Sequence, residues 1–247
     1  MQTGLFIPDT HIPFESKCYD IMLKIALTLE IHYVVILGDF LDLYGLSFYD
    51  KNPELGDVAD LYDREIECGN HRLDEIDKFF PTAKKVFIEG NHEYRMKKFL
   101  SRQAPALRNR IKILDELNLR KRSRWKWIPF TKLQYWQFLE TDLYARHCPP
   151  VGGQALNVAK QSGHSIIYGH THHLAVSAHV KKASGKTIYA INGGWLGNEK
   201  EHVFDYVTTR ADWTKAFTLV HAVGKNFWFE QVVFNDDKAF FDGEIWK

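Results

Sequence analysis

Four groups of aspartate, histidine and asparagine residues each stand directly after a short apolar run. The groups are Asp9-Thr10-His11, Gly38-Asp39-Phe40-Leu41-Asp42, Gly90-Asn91-His92-Glu93 and Gly169-His170-Thr171-His172. Carboxylate oxygens and imidazole nitrogens together suit borderline divalent cations such as Mn, Fe, Zn or Co. Two such cations ~3.5–4 Å apart can activate a water molecule and stabilise the attacking and leaving oxygens of a phosphate group. The residue types therefore indicate metal-assisted chemistry on a phosphate ester.

The apolar runs before these groups predict buried β-strands, and the segments between them predict helices. The runs lie at 5–7, 33–37, 85–89 and 165–168. Apolar residues at helical spacing over 16–30 and 57–80 separate the first three runs, and this order predicts parallel strands with right-handed crossovers. Ligands of open α/β sheets bind beyond the carboxyl ends of the strands. We therefore expect the four polar groups to converge at one sheet edge.

The rest of the chain predicts one further helix and a strand-rich carboxyl-terminal third. Residues 154–162 have the helical pattern, while 174–181, 186–192, 216–222 and 226–234 alternate and are rich in aromatic residues. Gly185-Lys186 and Gly224-Lys225-Asn226 mark expected hairpin turns. No linker-like tract interrupts residues 1–247, so we predict a single α/β domain with a mixed sheet or two packed sheets.

The composition excludes several other classes of protein. The 247 residues are 45% hydrophobic and 26% charged, which is ordinary for a globular protein. No apolar run approaches the ~18 residues of a membrane span, and the first residues lack the pattern of a signal peptide. The three cysteines, Cys18, Cys68 and Cys148, do not form a disulfide or zinc pattern. We therefore predict a cytoplasmic protein.

In order and spacing, the motifs resemble those of the calcineurin-like metallophosphoesterases. The matching elements are Asp9-x-His11, Gly38-Asp39-x-x-Asp42, Gly90-Asn91-His92-Glu93, the lone His147 and Gly169-His170-Thr171-His172. The resemblance implies a four-layered α/β/β/α sandwich with the site on loops at one sheet edge. It also implies two divalent metal ions, with Mn expected and Fe, Zn, Co or Ni as alternatives, and phosphate-ester hydrolysis by a hydroxide that bridges them.

The resemblance also implies a role for each matching residue. The first metal would be held by Asp9, His11, Asp39 and His172. The second would share Asp39 and be completed by Asn91, His147 and His170. His92 would stabilise the transition state or protonate the leaving oxygen, and Asp42 would hydrogen-bond His92, fix its orientation and raise its pKa. Taken singly, each carboxylate could equally be a helix cap or a turn residue.

Residues 95–146 carry an unusual excess of positive charge. They contain 14 basic and 4 acidic residues, a net charge of +10 within a chain of net charge +1. The densest stretch contains Arg120, Lys121, Arg122 and Arg124, and aromatic residues follow it. Basic groups interleaved with aromatics suit nucleic-acid binding, although a solvated helical face beside core aromatics would look the same. Helical spacing over 104–119 predicts a small basic helical cap beside the site.

Two further residues are candidate substrate contacts. Arg95 follows the Gly90-Asn91-His92-Glu93 element, and Trp195 follows a pair of glycines in the segment after His172. Trp195 could instead be a core residue beside a tight turn.

These observations favour a phosphodiesterase or nuclease acting on nucleic acid or nucleotides. Leu43 stands where many phosphoprotein phosphatases of the family that the chain resembles carry Arg. This difference leaves the diesterase and nuclease branches of that family open. A phosphomonoesterase acting on phosphoprotein or a small molecule is the alternative. A catalytically weak scaffold is a third hypothesis, against which the intact motif set argues. The sequence predicts no membrane partner and leaves the oligomeric state open.

Overall fold

The computed structural model describes residues 1–47, 58–152, 154–205 and 212–247. The strands, in chain order, are β1 (Gln2–Ile7), β2 (Tyr33–Ile36), β3 (Lys84–Ile88), β4 (Trp125–Ile128), β5 (Trp136–Gln137), β6 (Leu143–Arg146), β7 (Ser165–Tyr168), β8 (Leu174–Val180), β9 (Thr187–Gly193), β10 (Ala216–Val223), β11 (Asn226–Asn235), β12 (Lys238–Phe241) and β13 (Glu244–Trp246). The helices are α1 (Cys18–Ala26), α2 (Val58–Phe79), α3 (Tyr94–Gln103), α4 (Ile113–Glu116) and α5 (Ala155–Gln161). Residue 57, at which the second predicted helix begins, lies outside the described residues. No described helix has the length and apolar character that crossing a membrane requires.

The described strands form two mixed sheets. The first has the order β13-β12-β11-β10-β1-β2-β3-β4, and the second has the order β5-β6-β7-β9-β8. Strands β1 to β3 are parallel, as the strand–helix alternation predicts, and β4 adds a fourth parallel strand that the sequence did not predict. In the second sheet β6, β7 and β9 are parallel and the outer strands β5 and β8 are antiparallel. The predicted fold class, α/β with two packed sheets, is confirmed.

The two sheets pack face to face, and helices cover their other faces. Phe6 of β1 contacts Phe138 edge-on at 5.4 Å between ring centroids, inside a buried cluster that joins both sheets. A second cluster packs α1 and α2 against the opposite face of the first sheet. A third packs α5 against Ile166 and Tyr168 of β7. Four-residue β2 is buried along its whole length because it lies between these layers.

Residues 95–146 do not form the predicted helical cap. Over 104–119 the structure has only a short 3₁₀ turn at Pro105–Leu107 and the four-residue helix α4. The segment then supplies β4 to the edge of the first sheet and β5 and β6 to the second. Leu117 is buried and Ile111 and Leu114 pack, partly buried, against the core of the main fold, whereas Leu107 is exposed. The segment is part of both sheets.

The basic stretch before β4 lies away from the predicted site. Arg124 accepts a hydrogen bond at its carbonyl from the Lys85 amide (2.8 Å), at the start of β3. Because β3 and β4 are parallel, the stretch lies at the amino ends of the strands, and the expectation that it adjoins the substrate is wrong. Arg122 is paired with Asp74 and Asp77 of α2, and Arg120 with Asp115, while Lys121 is exposed.

Asp77 holds this end of the fold together. Its carboxylate lies 3.1 Å from the Lys85 ammonium, whose side chain is 1% exposed, and it accepts a hydrogen bond from the Trp125 indole (2.9 Å). A buried ammonium that loses its carboxylate partner is strongly unfavourable. This makes the α2 acids structural partners of the basic stretch.

Replacing Asp77→Ala should lower the free energy of unfolding by about 3 kcal/mol, because Lys85 would remain buried without its carboxylate partner. The matched control is Asp74→Ala, whose carboxylate is 69% exposed and pairs only with Arg122 among the described residues. We expect that control to cost about 0–1 kcal/mol. Urea unfolding of the two variants checks this, and equal losses would contradict the assignment.

Candidate metal centre

The predicted ligands converge at the carboxyl ends of five strands. Asp9 follows β1, Asp39 follows β2, Asn91 follows β3, His147 follows β6, and His170 and His172 follow β7. Within the described part of the chain, four sets of residues at this edge have ligand atoms within 4.8 Å of one another. They are Asp9–His11–His172, His11–Asp39–His92, Asp9–Asp39–His147 and His147–Cys148–His170. Asp39 shares one set with Asp9 and His147 and another with His11 and His92, so its carboxylate adjoins both groups of ligands.

The first potential metal position lies among Asp9, His11 and His172, all buried. The Nε2 atoms of His11 and His172 face each other at 3.0 Å, and His172 Nε2 lies 3.6 Å from Asp9 Oδ1. His11 donates from Nδ1 to Asp42 Oδ2 (2.8 Å), so its Nε2 presents a lone pair. Two nitrogens and a carboxylate oxygen turned toward one point fit a divalent cation.

The second potential position lies among Asp39, Asn91, His147 and His170. His147 Nε2 lies 2.9 Å from Asn91 Oδ1 and 3.2 Å from Asp39 Oδ2, and its Nδ1 donates to the Leu37 carbonyl (2.9 Å). The His170 ring lies 5.1 Å from that of His147, and His170 is exposed. The oxygen atoms of Asp39 and Asn91 thus surround His147 Nε2, which again fits a cation.

The charges of this centre favour a bound cation. Burial, with the nearby charge of Asp39, raises the pKa of Asp9 to about 7. Burial alone would lower the pKa of His147, but the charge of Asp39 and a hydrogen bond to it raise that pKa to about 9. Ligands must be deprotonated to bind metal, so a cation would replace these protons. It would also offset the mutual repulsion of the buried carboxylates.

Four candidate ligands have a backbone conformation that non-glycine residues rarely adopt. The φ angles of His11, Asp39, His170 and His172 are 53°, 46°, 74° and 60°. Each such residue costs on the order of 1–3 kcal/mol and persists where the surroundings hold it. Gly169 contributes to the close packing because a Cβ atom there would overlap the Asp9 carboxylate.

Glu93 fixes two of the ligand loops to each other. Its fully buried carboxylate accepts hydrogen bonds from the amides of Gly90 (2.8 Å), Leu41 (2.8 Å) and Asp39 (3.1 Å). This role of Glu93 is not predicted from the sequence, although its position in a motif beside His92 is a signal for it. Its three bonds show that it shapes the loops that carry Asp39 and Asn91.

The Asp42 carboxylate lies near His92, as predicted, but its shorter hydrogen bond is to His11. Its carboxylate bonds His11 at 2.8 Å and lies 3.5 Å from His92 Nδ1. His92 Nδ1 instead donates to the Asp42 main-chain carbonyl (2.7 Å). The Asp42 side chain therefore orients His11, and its backbone orients His92. Burial alone would lower the pKa of His92, but the charges of Asp39 and Asp42 hold it above its ordinary value.

Arg95 reaches the centre, whereas Trp195 supports it from behind. Arg95 donates from Nη1 to the Asp42 carbonyl and from Nη2 to His92 Nε2, both at 2.8 Å. Trp195 is 1% exposed and stacks on the His172 ring at 5.1 Å between centroids, with 18° between the planes. Trp195 is thus a core residue that braces His172, and the prediction that it contacts substrate is not supported by its burial.

Cys148 is a possible ligand that the sequence does not predict. It lies with His147 and His170 in the most exposed of the four sets. Burial and the charges of Asp39 and Asp9 raise the pKa of its thiol to about 12. The thiol therefore stays protonated near neutral pH, which makes it a poor nucleophile.

Replacing Glu93→Gln should weaken metal binding about 10–100-fold, since an amide cannot accept three backbone hydrogen bonds as a carboxylate does. Calorimetric titration of the metal-free protein with Mn²⁺ measures this. Glu140→Gln, at an exposed position, is the control and should bind as the wild type. Unchanged affinity in Glu93→Gln would show that the loops keep their geometry without this carboxylate.

The chain is similar along its whole length to a phage protein and to several solved structures. No protein-family model matches it. The Gene 54 protein of Mycobacterium phage L5 is 23% identical over 252 residues, which cover 98% of this chain and 97% of that protein.

Three of the similar structures come from an amoeba and two bacteria. Zinc-complexed Vps29 from Entamoeba histolytica is 14% identical, with 99% of this chain and 96% of that chain covered and a TM-score of 0.43. The phosphoesterase YfcE from E. coli is 14% identical, with 95% and 100% covered and a TM-score of 0.40. The nuclease MPE from Pseudomonas putida is 15% identical, with 88% and 83% covered and a TM-score of 0.36. In its motifs, its two-sheet fold and the convergence of the motifs at one sheet edge, the chain resembles the calcineurin-like metallophosphoesterases.

Proposed function

We propose that the chain is a metal-dependent phosphoesterase that hydrolyses phosphodiesters of nucleic acid or nucleotides. The observation that carries the proposal is the position of Asp39, whose carboxylate lies within 4.8 Å of ligand atoms of Asp9, His11 and His147. A carboxylate shared by two potential metal positions is the arrangement that a two-cation site requires.

The donor set would hold two divalent cations, with Mn²⁺ as our first choice. Asp9, His11, Asp39 and His172 would bind one, and Asp39, Asn91, His147 and His170 the other. Mixed carboxylate, amide and imidazole ligands suit Mn, Fe, Zn, Co and Ni. When bound, such cations polarise the phosphate and lower the pKa of a water molecule toward neutrality.

His92 and Arg95 would act on the substrate. The Asp42 carbonyl holds the proton at His92 Nδ1 and so fixes the ring, with Nε2 turned toward Arg95. An incoming phosphate would take the Arg95 guanidinium as a charge-assisted partner and release His92 Nε2. Once released, Nε2 would take up a proton from water, which the charges of Asp39 and Asp42 favour. It would then pass that proton to the leaving oxygen, which is general acid catalysis.

Leu43 favours a diester over a monoester. Its side chain is fully buried at the position where many phosphoprotein phosphatases of the resembling family carry Arg. A phosphomonoester bears a second negative charge, which an arginine at this position would neutralise. Phosphomonoesterase activity is the second candidate function, and comparison of an aryl diester with an aryl monoester in the presence of Mn²⁺ separates the two. A catalytically weak scaffold would hydrolyse neither.

Replacing His92→Asn should lower kcat for an aryl phosphodiester by about 10²–10⁴-fold, because the general acid is lost. Mn²⁺ content should stay at the wild-type value, since the metal ligands are untouched. The control is His179→Asn, which should keep full activity. His179 lies on β8, near the end of that strand that is farther from the centre. Steady-state kinetics and elemental analysis measure both quantities. Loss of metal in His92→Asn would instead make His92 a ligand.

A further inference from the structure

We infer that Tyr94, Phe130, Lys97 and Lys98 form a binding platform for single-stranded nucleic acid beside the second metal position. The rings would stack with a base, and the lysines would contact neighbouring phosphates. The inference rests on the proposed function, because it names the substrate that the same centre would cleave.

The two rings continue outward from the candidate ligand His147. The Phe130 ring lies 6.4 Å from that of His147, and the Tyr94 ring lies 5.2 Å from that of Phe130, with 39° between the planes. Tyr94 and Phe130 are both half-buried, so part of each residue is accessible. A base bound there would be adjacent to a phosphate at the centre.

The loop that carries Phe130 is tied to the metal centre by buried polar groups. Glu89 accepts a hydrogen bond from the Phe130 amide (2.7 Å). Gln134, 2% exposed, donates to the Glu89 carbonyl (2.8 Å) and accepts from the His147 amide (3.1 Å). These bonds fix Phe130 relative to His147, so the platform is preorganised.

The lysines add positive charge at the same place. The Nζ atoms of Lys97 and Lys98 lie 5.4 and 5.7 Å from the Tyr94 ring centroid, and both residues are exposed on α3. Among the residues that the structure describes, neither has a carboxylate partner, in contrast to Arg120 and Arg122. Aromatic rings beside unpaired cations are how proteins bind single strands, whose unpaired bases are free to stack.

Fluorescence anisotropy with a labelled single-stranded oligonucleotide tests the platform. The measurement is made in EDTA, so that cleavage cannot occur, and is repeated with an abasic strand of the same number of phosphates. The wild type should bind the strand with bases about tenfold more tightly than the abasic strand. The Tyr94→Leu/Phe130→Leu double variant should lose that difference.

The lysines have a separate readout. The Lys97→Gln/Lys98→Gln variant should keep the preference for bases, and its slope of log affinity against log salt should fall by about 0.7 per lysine. The controls are Trp228→Leu and Lys121→Gln, both at exposed positions away from the centre. Trp228 is 57% exposed and lies opposite His221, which in turn lies opposite the start of β1, at the sheet edge far from the centre. Both should bind as the wild type.

Equal affinity of the wild type for the two strands would overturn the platform, as would an unchanged preference in the double variant. Tyr94→Phe keeps the ring and should keep the preference, so it separates loss of stacking from misfolding. Failure to hydrolyse any phosphate ester with Mn²⁺ would refute the proposed function alone, because strand binding in EDTA needs no catalysis.

Discussion

The candidate site depends on Asp39, which is bonded to the loops around it. Its carbonyl accepts hydrogen bonds from the amides of Thr10 and His11, both at 3.0 Å, and its amide donates to Glu93. Its Oδ1 accepts from the His92 amide (2.9 Å), while Oδ2 faces His147. The buried charge of one carboxylate thus coincides with the junction of three ligand loops. These bonds hold the left-handed backbone of Asp39, so the protein itself positions the candidate ligands around this carboxylate.

The sequence could predict the elements whose pattern is local. The parallel core was predictable from the apolar runs at β1, β2 and β3 and the helical spacing of α2. The runs are apolar throughout because each strand is buried on both faces. The convergence of the candidate ligands was predictable because parallel strands deliver their carboxyl ends to one edge. Strand β4 was not predictable, since the segment Trp125–Ile128 becomes a strand only by pairing with β3.

The partners of charged groups could not be predicted from the sequence. The +10 charge of residues 95–146 gave no sign that Asp74 and Asp77 of α2 would pair with Arg122. Nor could spacing decide whether the Asp42 carboxylate orients His11 or His92, since both rings are within reach. Lys97 and Lys98, in contrast, remain without carboxylate partners among the described residues and lie beside the centre.

The most direct test of the account is anomalous diffraction from crystals of the protein loaded with Mn²⁺. The account predicts two Mn peaks ~3.5–4 Å apart, on either side of the Asp39 carboxylate. One should lie among Asp9, His11 and His172, and the other among Asn91, His147 and His170. A single peak at His147, Cys148 and His170, with none in contact with Asp39, would contradict it.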